Sequence, residues 1–90
     1  AKLNTSDGVL TYNDEKIPLT KNEYRILLTL MSNKGRVISR EALIKALWET
    51  DCFIEENTLT VNVGRLRKKL ENAGLDEFIE TKFGLGYLIK

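Results

Sequence analysis

Histidine is absent from this 90-residue sequence, and cysteine occurs once, as Cys52. A single thiol without histidine excludes both an internal disulfide and the ligand spacing of a zinc finger. We interpret Cys52 as a loop thiol in a reducing, cytoplasmic setting. Long apolar runs are also lacking, and the first residues do not form a signal peptide, so no membrane segment is predicted. Because the chain begins with Ala, we expect it to be a piece of a longer protein.

Catalytic groups are equally scarce. The sequence has no glycine-rich phosphate loop and no cysteine paired with a base. The carboxylates of Glu55 and Glu56 are adjacent at the start of a predicted helix, so they face different directions. We therefore assign no catalytic residue, no metal ligand and no cofactor, and an enzyme is disfavoured. RNA binding is weakly supported, because no paired aromatics lie on a predicted strand.

Charge is small in sum but uneven along the chain. The net charge of +1 argues against indiscriminate binding to polyanions. Residues 49–56 contain acids and no base, whereas residues 57–72 contain four bases and one acid, Glu71. A basic segment thus follows an acidic loop directly. Since the loop would repel phosphates, we expect it to point away from any bound nucleic acid.

Size and composition fit one small globular domain, with 42% hydrophobic residues and a modest core. Residues 1–18 alternate β-prone runs with turn signals at Asp7-Gly8 and Asn13-Asp14, which predicts an N-terminal antiparallel sheet. Residues 20–74 predict three helices, and residues 77–90 predict a hairpin turning around Phe83-Gly84-Leu85-Gly86. No repeat or linker is present.

Each helix has a recognisable beginning or end. Thr20 and Glu23 form a capping box for a helix over residues 21–33. Ser39 caps a second helix that ends near Trp48. We expect the first helix to bury Tyr24, Leu27, Leu28 and Met31, and the second to bury Leu43, Ala46 and Leu47.

The third helix, residues 57–72, is the most informative segment. An apolar stripe at helical spacing is formed by Leu59, Val63, Leu66 and Leu70. The opposite side carries Asn57, Val61, Gly64, Arg65 and Lys68. A solvated basic face is the alternative interpretation. Three features favour insertion into the DNA major groove: an exposed valine, a mid-helix glycine that costs about 1 kcal/mol, and clustered bases that can meet base edges or phosphates.

Residues 19–90 resemble the C-terminal effector domain of OmpR/PhoB-type response regulators. In chain order, the resemblance is carried by Leu19-Thr20, Glu23-Tyr24, Leu27-Leu28, Val37-Ile38-Ser39-Arg40-Glu41, Leu43, Leu47-Trp48, Thr58 through Leu70, Thr81, Gly84 and Gly86-Tyr87. Residues 53–63 are most similar to the bacitracin- and cationic-peptide-sensing subgroup. The implied fold class is α+β: a winged helix-turn-helix with an N-terminal antiparallel β-sheet, three helices and a C-terminal β-hairpin wing.

This resemblance implies a DNA-binding site. Arg65 is the first candidate for contact with bases, and Lys68 and Arg67 are candidates for phosphates. The remaining candidates are Val61, Asn57, Gly64, Trp48, Lys82 and Phe83, with Thr58, Asn62 and Lys69 as phosphate contacts from one flank. Arg36, Arg40 and Lys45 are further candidates for phosphates, and the alternative interpretation of each is a solvated base. Trp48 is expected to bury its ring and to present its indole N–H to a phosphate.

Two positions depart from the family pattern. Many relatives carry a larger, often basic, residue at Gly64. Many also carry a wing arginine, which reaches into the minor groove, at Phe83. We expect Phe83 to pack against the third helix rather than to intercalate between DNA bases. Lys82 could contact the DNA backbone in place of the missing arginine.

The resemblance also implies partners: double-stranded DNA, a receiver domain, and a second copy on tandem half-sites about 10 bp apart. RNA polymerase is a further candidate partner, through loop 49–56. The rival interpretation is a winged helix that makes protein contacts instead of DNA contacts.

Overall fold

The computed structural model describes residues 2–49 and 54–90, so Cys52 and the middle of the acidic loop lie outside the described residues. The elements in chain order are β1 (Lys2–Asn4), β2 (Val9–Tyr12), β3 (Glu15–Pro18), α1 (Lys21–Met31), α2 (Arg40–Leu47), α3 (Glu56–Asn72), β4 (Glu80–Lys82) and β5 (Gly86–Leu88). This is the predicted winged helix: an N-terminal sheet, three helices and a C-terminal hairpin.

The N-terminal sheet is antiparallel, in the order β1-β2-β3. Leu10 pairs with Leu3 on one side and Ile17 on the other, and it is fully buried against the helices. Asn13 and Asp14 adopt φ of 50° and 63°, the left-handed pair that a two-residue type I′ hairpin requires. The predicted turn is thereby confirmed.

Helix α1 begins with the predicted capping box. The Thr20 hydroxyl accepts from the Glu23 amide at 3.2 Å, and the Glu23 carboxylate accepts from the Thr20 amide at 2.8 Å. Leu27 is buried as predicted, but Tyr24, Leu28 and Met31 are only partly buried, so the buried face of α1 is rotated by about one residue from the predicted one. The buried set is Glu23, Ile26, Leu27 and Leu30. The rotation is possible because the carboxylate of Glu23 is satisfied inside the protein.

Helix α2 is capped by Ser39, whose hydroxyl accepts from the Ala42 amide at 3.0 Å. Its buried residues are Leu43, Ile44 and Leu47, so Ile44 takes the inward position that was predicted for Ala46. Helix α3 buries the predicted stripe of Leu59, Val63, Leu66 and Leu70. Together these side chains form one core between the helices and the two sheets.

The wing hairpin is attached to the start of α2. Tyr87 in β5 pairs with Ile38 through two backbone hydrogen bonds, of 2.8 and 3.0 Å. Gly86 makes this approach possible: its φ is 147°, and a β-carbon there would collide with the Ile38 carbonyl. The hairpin is therefore packed on the helices rather than free in solvent.

An ion pair between a buried carboxylate and a partly exposed ammonium connects α3 to α1. The Lys69 ammonium lies 2.6 Å from the carboxylate of Glu23, whose side chain is 1% exposed. The ammonium also donates to the Pro18 carbonyl at 3.1 Å. Burial by itself raises the pKa of Glu23, but the hydrogen bonds from Lys69 and Thr20 and the charge of Lys69 outweigh burial and leave the pKa below its ordinary value of 4.5.

This pair predicts an acid-dependent loss of stability. A lowered folded-state pKa stabilises the protein above pH 4.5, and the stabilisation is lost as the pH falls through the folded-state value. At neutral pH, Glu23→Gln should lower the free energy of unfolding by about 2 kcal/mol. In urea titrations across pH, the difference from the wild type should shrink below pH 4.5.

Glu41→Gln is the matched control, because Glu41 forms an exposed pair with Lys45 at 3.4 Å. It should change stability by less than about 0.5 kcal/mol at any pH. Equal effects of the two substitutions at neutral pH would contradict a special role for Glu23.

Candidate nucleic-acid interface

The solvent-facing side of α3 is a narrow strip. We call it the outer strip, and it consists of Asn57, Val61, Gly64, Arg65 and Lys68, all of which are exposed. Val61 is 49% exposed, although its burial would be favourable. The predicted placement of these five residues on one outward face is confirmed. The strip combines an amide, a small apolar side chain, a bare backbone segment and two cations.

One flank of the outer strip is occupied by contacts to the wing. Arg67 donates to the Ile79 carbonyl at 3.2 Å and to the Thr81 hydroxyl, and its guanidinium lies 5.7 Å from the centre of the Tyr87 ring. Arg67 was predicted to hold a phosphate. In the structure its Nη2 makes both of these bonds and connects α3 to β4, while its Nε is buried without a hydrogen-bond partner.

Arg40 strengthens the same flank from α2. It donates to the Tyr87 hydroxyl at 2.6 Å and to the Thr60 hydroxyl at 2.7 Å, and a further bond of 3.1 Å goes to the Glu56 carbonyl. Its guanidinium lies 5.8 Å from the centre of the Tyr87 ring. Arg40 therefore joins α2, the first turn of α3 and the wing, which differs from the solvent-facing phosphate contact predicted for it.

The opposite flank faces α1 and the N-terminal sheet. Lys69 is held there by Glu23, and its position explains why it does not join the outer strip. Asn62 was a predicted DNA contact, but it is 8% exposed and its amide donates to the Thr58 carbonyl at 2.8 Å. Burial withdraws Asn62 from the surface. Thr58, one turn earlier, is partly exposed on this flank.

Trp48 reverses the predicted arrangement. The residue is 49% exposed, whereas its indole N–H donates to the Ile54 carbonyl at 3.2 Å. The N–H closes the connection between α2 and α3 rather than facing solvent. An aromatic surface, not a hydrogen-bond donor, is what Trp48 presents to a partner.

The wing tip also differs from the sequence-based preference. Phe83 is 93% exposed, so its predicted packing against α3 is wrong. A three-residue turn between Lys82 and Gly86 carries the ring beyond the end of the paired strands. Lys82 is exposed, and its ammonium lies 3.8 Å from the Glu80 carboxylate.

The acids before α3 lie in different environments. Glu49 forms an ion pair with Arg25 at 3.3 Å. Glu55 and Glu56 are exposed at the start of α3, where negative charge is favourable to the helix dipole. Within the part of the chain that the structure describes, no group of acidic and thiol side chains could hold a metal ion.

Sequence reasoning missed the residues that fix the outer strip in place. Thr60, Thr81 and Tyr87 receive the hydrogen bonds of Arg40 and Arg67. The signal was weak, because a basic residue on a helix flank is compatible with solvent, DNA or a neighbouring strand. Thr81 and Tyr87 did belong to the family pattern, but the pattern does not state which side chains they contact.

Comparisons with known proteins identify relatives along nearly the whole chain. Residues 14–89 match the family model described as "Transcriptional regulatory protein, C terminal". The sensory transduction protein BceR of Halalkalibacterium halodurans is 53% identical over 74 residues, which are 82% of this chain and 32% of that protein. The chain thus spans about a third of the length of this relative.

Two solved structures have the same fold. The C-terminal domain of the nisin resistance regulator NsrR, a lantibiotic response regulator, has 42% identity and a TM-score of 0.83, covering 94% of this chain and 87% of that chain. The DNA-binding domain of the response regulator AdeR, solved in complex with an intercistronic region, has 26% identity and a TM-score of 0.87, covering 99% and 92%. No described helix is long and apolar enough to span a membrane.

Substitution of Gly64 and of Gly86 by Ala should change the free energy of unfolding in opposite directions. A β-carbon at Gly64 would meet no atom within 4 Å, so Gly64→Ala should raise the free energy of unfolding by about 1 kcal/mol through helix propensity. Gly86→Ala should lower the stability, because its β-carbon collides with the Ile38 carbonyl. Urea unfolding of both variants tests this, and a loss of stability in Gly64→Ala would show that the outer strip has an unrecognised contact.

Proposed function

The chain belongs to the family of transcriptional regulatory protein C-terminal domains, and we propose that it binds duplex DNA sequence-specifically as the effector domain of a two-component response regulator. The observation that carries this proposal is the outer strip of α3: an exposed polar and basic surface on a helix whose two flanks are held by other parts of the protein. A rigid helix with one free face suits insertion into the major groove.

The residues of the outer strip match the groups that base pairs present in that groove. Arg65 can donate two hydrogen bonds to a guanine edge, and Asn57 can bond an adenine. Val61 can contact a thymine methyl. Gly64 lets the helix backbone approach closely, since no side chain stands between it and the groove. Arg65 is thus the principal candidate for reading sequence.

Phosphate contacts should come from cations beside the strip. Lys68 is exposed on it, and Lys82 lies on the wing. Arg36 and Lys45 are exposed near the two ends of α2. Because Arg40, Arg67 and Lys69 are engaged inside the protein, few cations remain to contact the phosphates of the DNA. We therefore expect a single domain to bind DNA with modest affinity.

Weak binding by one domain fits a mechanism that depends on two. In the whole protein, a phosphorylated receiver domain would pair two copies and place two effector domains on tandem half-sites about 10 bp apart. The second domain then binds at a high effective concentration. We place this protein in the cytoplasm, with no catalytic role for this domain. The exposed acids Glu55 and Glu56 are candidates for contact with a basic patch of RNA polymerase.

A protein-contact module is the second candidate function. It is favoured by the net charge of +1 and by the exposed aromatic ring at the wing tip. The two functions differ in what they require of Arg65, since a module that binds proteins through the wing does not need a cation on α3.

Arg65→Ala tests the DNA-binding proposal. Against a duplex selected from a random pool, the substitution should weaken binding by about 1–3 kcal/mol and relax the preference at one base pair. It should leave the thermal unfolding curve unchanged, because Arg65 is exposed. Fluorescence anisotropy at several salt concentrations measures both affinity and the number of phosphate contacts.

Lys16→Ala is the matched control. It removes one exposed positive charge from β3, in the N-terminal sheet. Its affinity should stay within about twofold of the wild type, since surface charge away from a site has small effects. Equal losses in the two variants would indicate that binding depends on total charge and not on the outer strip.

The paired-domain mechanism predicts that the isolated 90-residue domain is monomeric and binds a single half-site weakly at physiological salt. Sedimentation velocity measures the oligomeric state, and anisotropy on duplexes with one or two half-sites measures the affinity for DNA. Fusing the domain to a dimerising coiled coil should raise affinity for the double site by about 10²-fold or more. A tight, specific complex of the single domain with one half-site would refute this mechanism.

A further inference from the structure

A cleft of about 430 Å³ lies between the C-terminal half of α3, the loop that follows this helix and the wing hairpin. Its apolar lining consists of Leu70 and Ile79, which are buried, and of Leu75 and Phe78, which are partly buried. Sites for small ligands have volumes of about 300–1,000 Å³. The cleft is therefore large enough for a few side chains of a partner, but not for a folded surface.

The charged groups of the cleft are acidic in sum, because three carboxylates and two cations line it. Both cations are already engaged within the protein. Arg67 donates to the Ile79 carbonyl and to the Thr81 hydroxyl, and the Lys90 ammonium lies 3.6 Å from the Glu80 carboxylate. The cleft thus offers little free positive charge to an acidic ligand.

Two of the three carboxylates are free to receive a cation. Glu71 and Glu77 line the cleft, both are exposed, and neither has an ion-pair partner among the described residues. Glu71 follows Lys68 of the outer strip by three residues, so the basic surface of α3 ends where this acidic surface begins. Because the two carboxylates repel phosphates, duplex DNA is not a suitable occupant of the cleft.

The backbone of Glu77 is strained. Its φ is 56°, in the left-handed region that is disfavoured for residues with a β-carbon. Glycine would adopt this conformation without strain. Such a residue persists only where the surrounding structure holds it in place. The loop between α3 and β4 therefore holds a carboxylate in the wall of the cleft, although glycine would fit that backbone better.

We propose that the cleft is a docking site for a basic, apolar segment of a partner protein. Apolar side chains of the segment pack against Leu75 and Phe78. An arginine or lysine of the segment lays its aliphatic stem along the same surface and places its charge beside Glu71 and Glu77. This site lies outside the outer strip, and the inference does not depend on the proposed DNA binding.

The test titrates the isotope-labelled domain with a synthetic peptide, acetyl-leucyl-arginyl-leucine amide, and follows the backbone amides by NMR. Binding should shift the amide signals of Glu71, Leu75, Glu77 and Phe78, and it should leave those of the N-terminal sheet in place. The dissociation constant should be about 1 mM, because such a short segment buries little area and loses conformational freedom on binding.

Two matched peptides separate the contribution of charge from that of the apolar side chains. Citrulline in place of arginine keeps the shape of the side chain but removes its charge, and it should weaken binding about tenfold. Glycine in place of both leucines keeps the charge but removes the apolar contacts, and it should weaken binding by about tenfold or more.

Three protein variants test the carboxylates. Glu71→Gln and Glu77→Gln should each weaken binding of the arginine peptide about threefold, the effect of losing one exposed charge pair. Neither should change the affinity for the citrulline peptide. Glu15→Gln is the matched control, because it removes an exposed carboxylate from β3, and it should bind the arginine peptide like the wild type. All three positions are exposed, so the unfolding curves should match that of the wild type.

Other outcomes would overturn the docking site. These are an absence of shifts in the cleft at a peptide concentration tenfold above the expected dissociation constant, equal affinity for the arginine and citrulline peptides, and wild-type affinity in both Glu71→Gln and Glu77→Gln. Shifts of the same amides on dilution of the domain alone would assign the cleft to contact with a second copy instead of a partner segment.

Discussion

The arrangement of this domain depends on the two guanidinium groups gathered around Tyr87. Arg40 arrives from α2 and Arg67 from α3, and each lies within 6 Å of the ring centre. Attraction between a cation and an aromatic face, together with the hydrogen bonds to Tyr87 and Thr81, converts three separate elements into one unit. Together with the backbone pairing of Tyr87 and Ile38, this cluster fixes the outer strip relative to the wing.

The opposite side of α3 is held by a different kind of contact. There the carboxylate of Glu23 is buried and is stabilised by Lys69 and by the cap of α1. A buried carboxylate without such partners would be strongly destabilising. The helix is therefore fixed along both flanks, by an aromatic cluster on one and an ion pair on the other. Its free face is held in position before any ligand arrives, which lowers the entropic cost of binding.

Local patterns in the sequence were sufficient for most of the fold. Contacts within a few residues determine the capping box at Thr20, the cap at Ser39 and the turn at Asn13-Asp14. These features could therefore be predicted without tertiary information. The buried face of α1 could not be predicted in this way, because the burial of Glu23 depends on Lys69, which lies 46 residues away in the chain. Sequence alone treats such a glutamate as a solvated charge.

The candidate site, like the fold, could be predicted from the sequence only in part. Helical spacing was enough to place Arg65 and Lys68 on the outward face of α3. It could not separate a cation that faces solvent from one that crosses to a neighbouring strand, and so Arg67 and Lys69 were assigned to phosphates. Trp48 shows a further limit, since the direction of an indole N–H depends on the backbone of a later loop residue, Ile54.

Open space around Gly64 has a consequence for how such a regulator can change its target. The position is outward on α3, and nothing in the protein occupies the volume of a side chain there. In the DNA complex proposed above, new side chains at this one position would meet the operator without disturbing the core, so folding would impose almost no selection on them. Related regulators could thus diverge in the promoters they control by single steps, each passing only through stable intermediates.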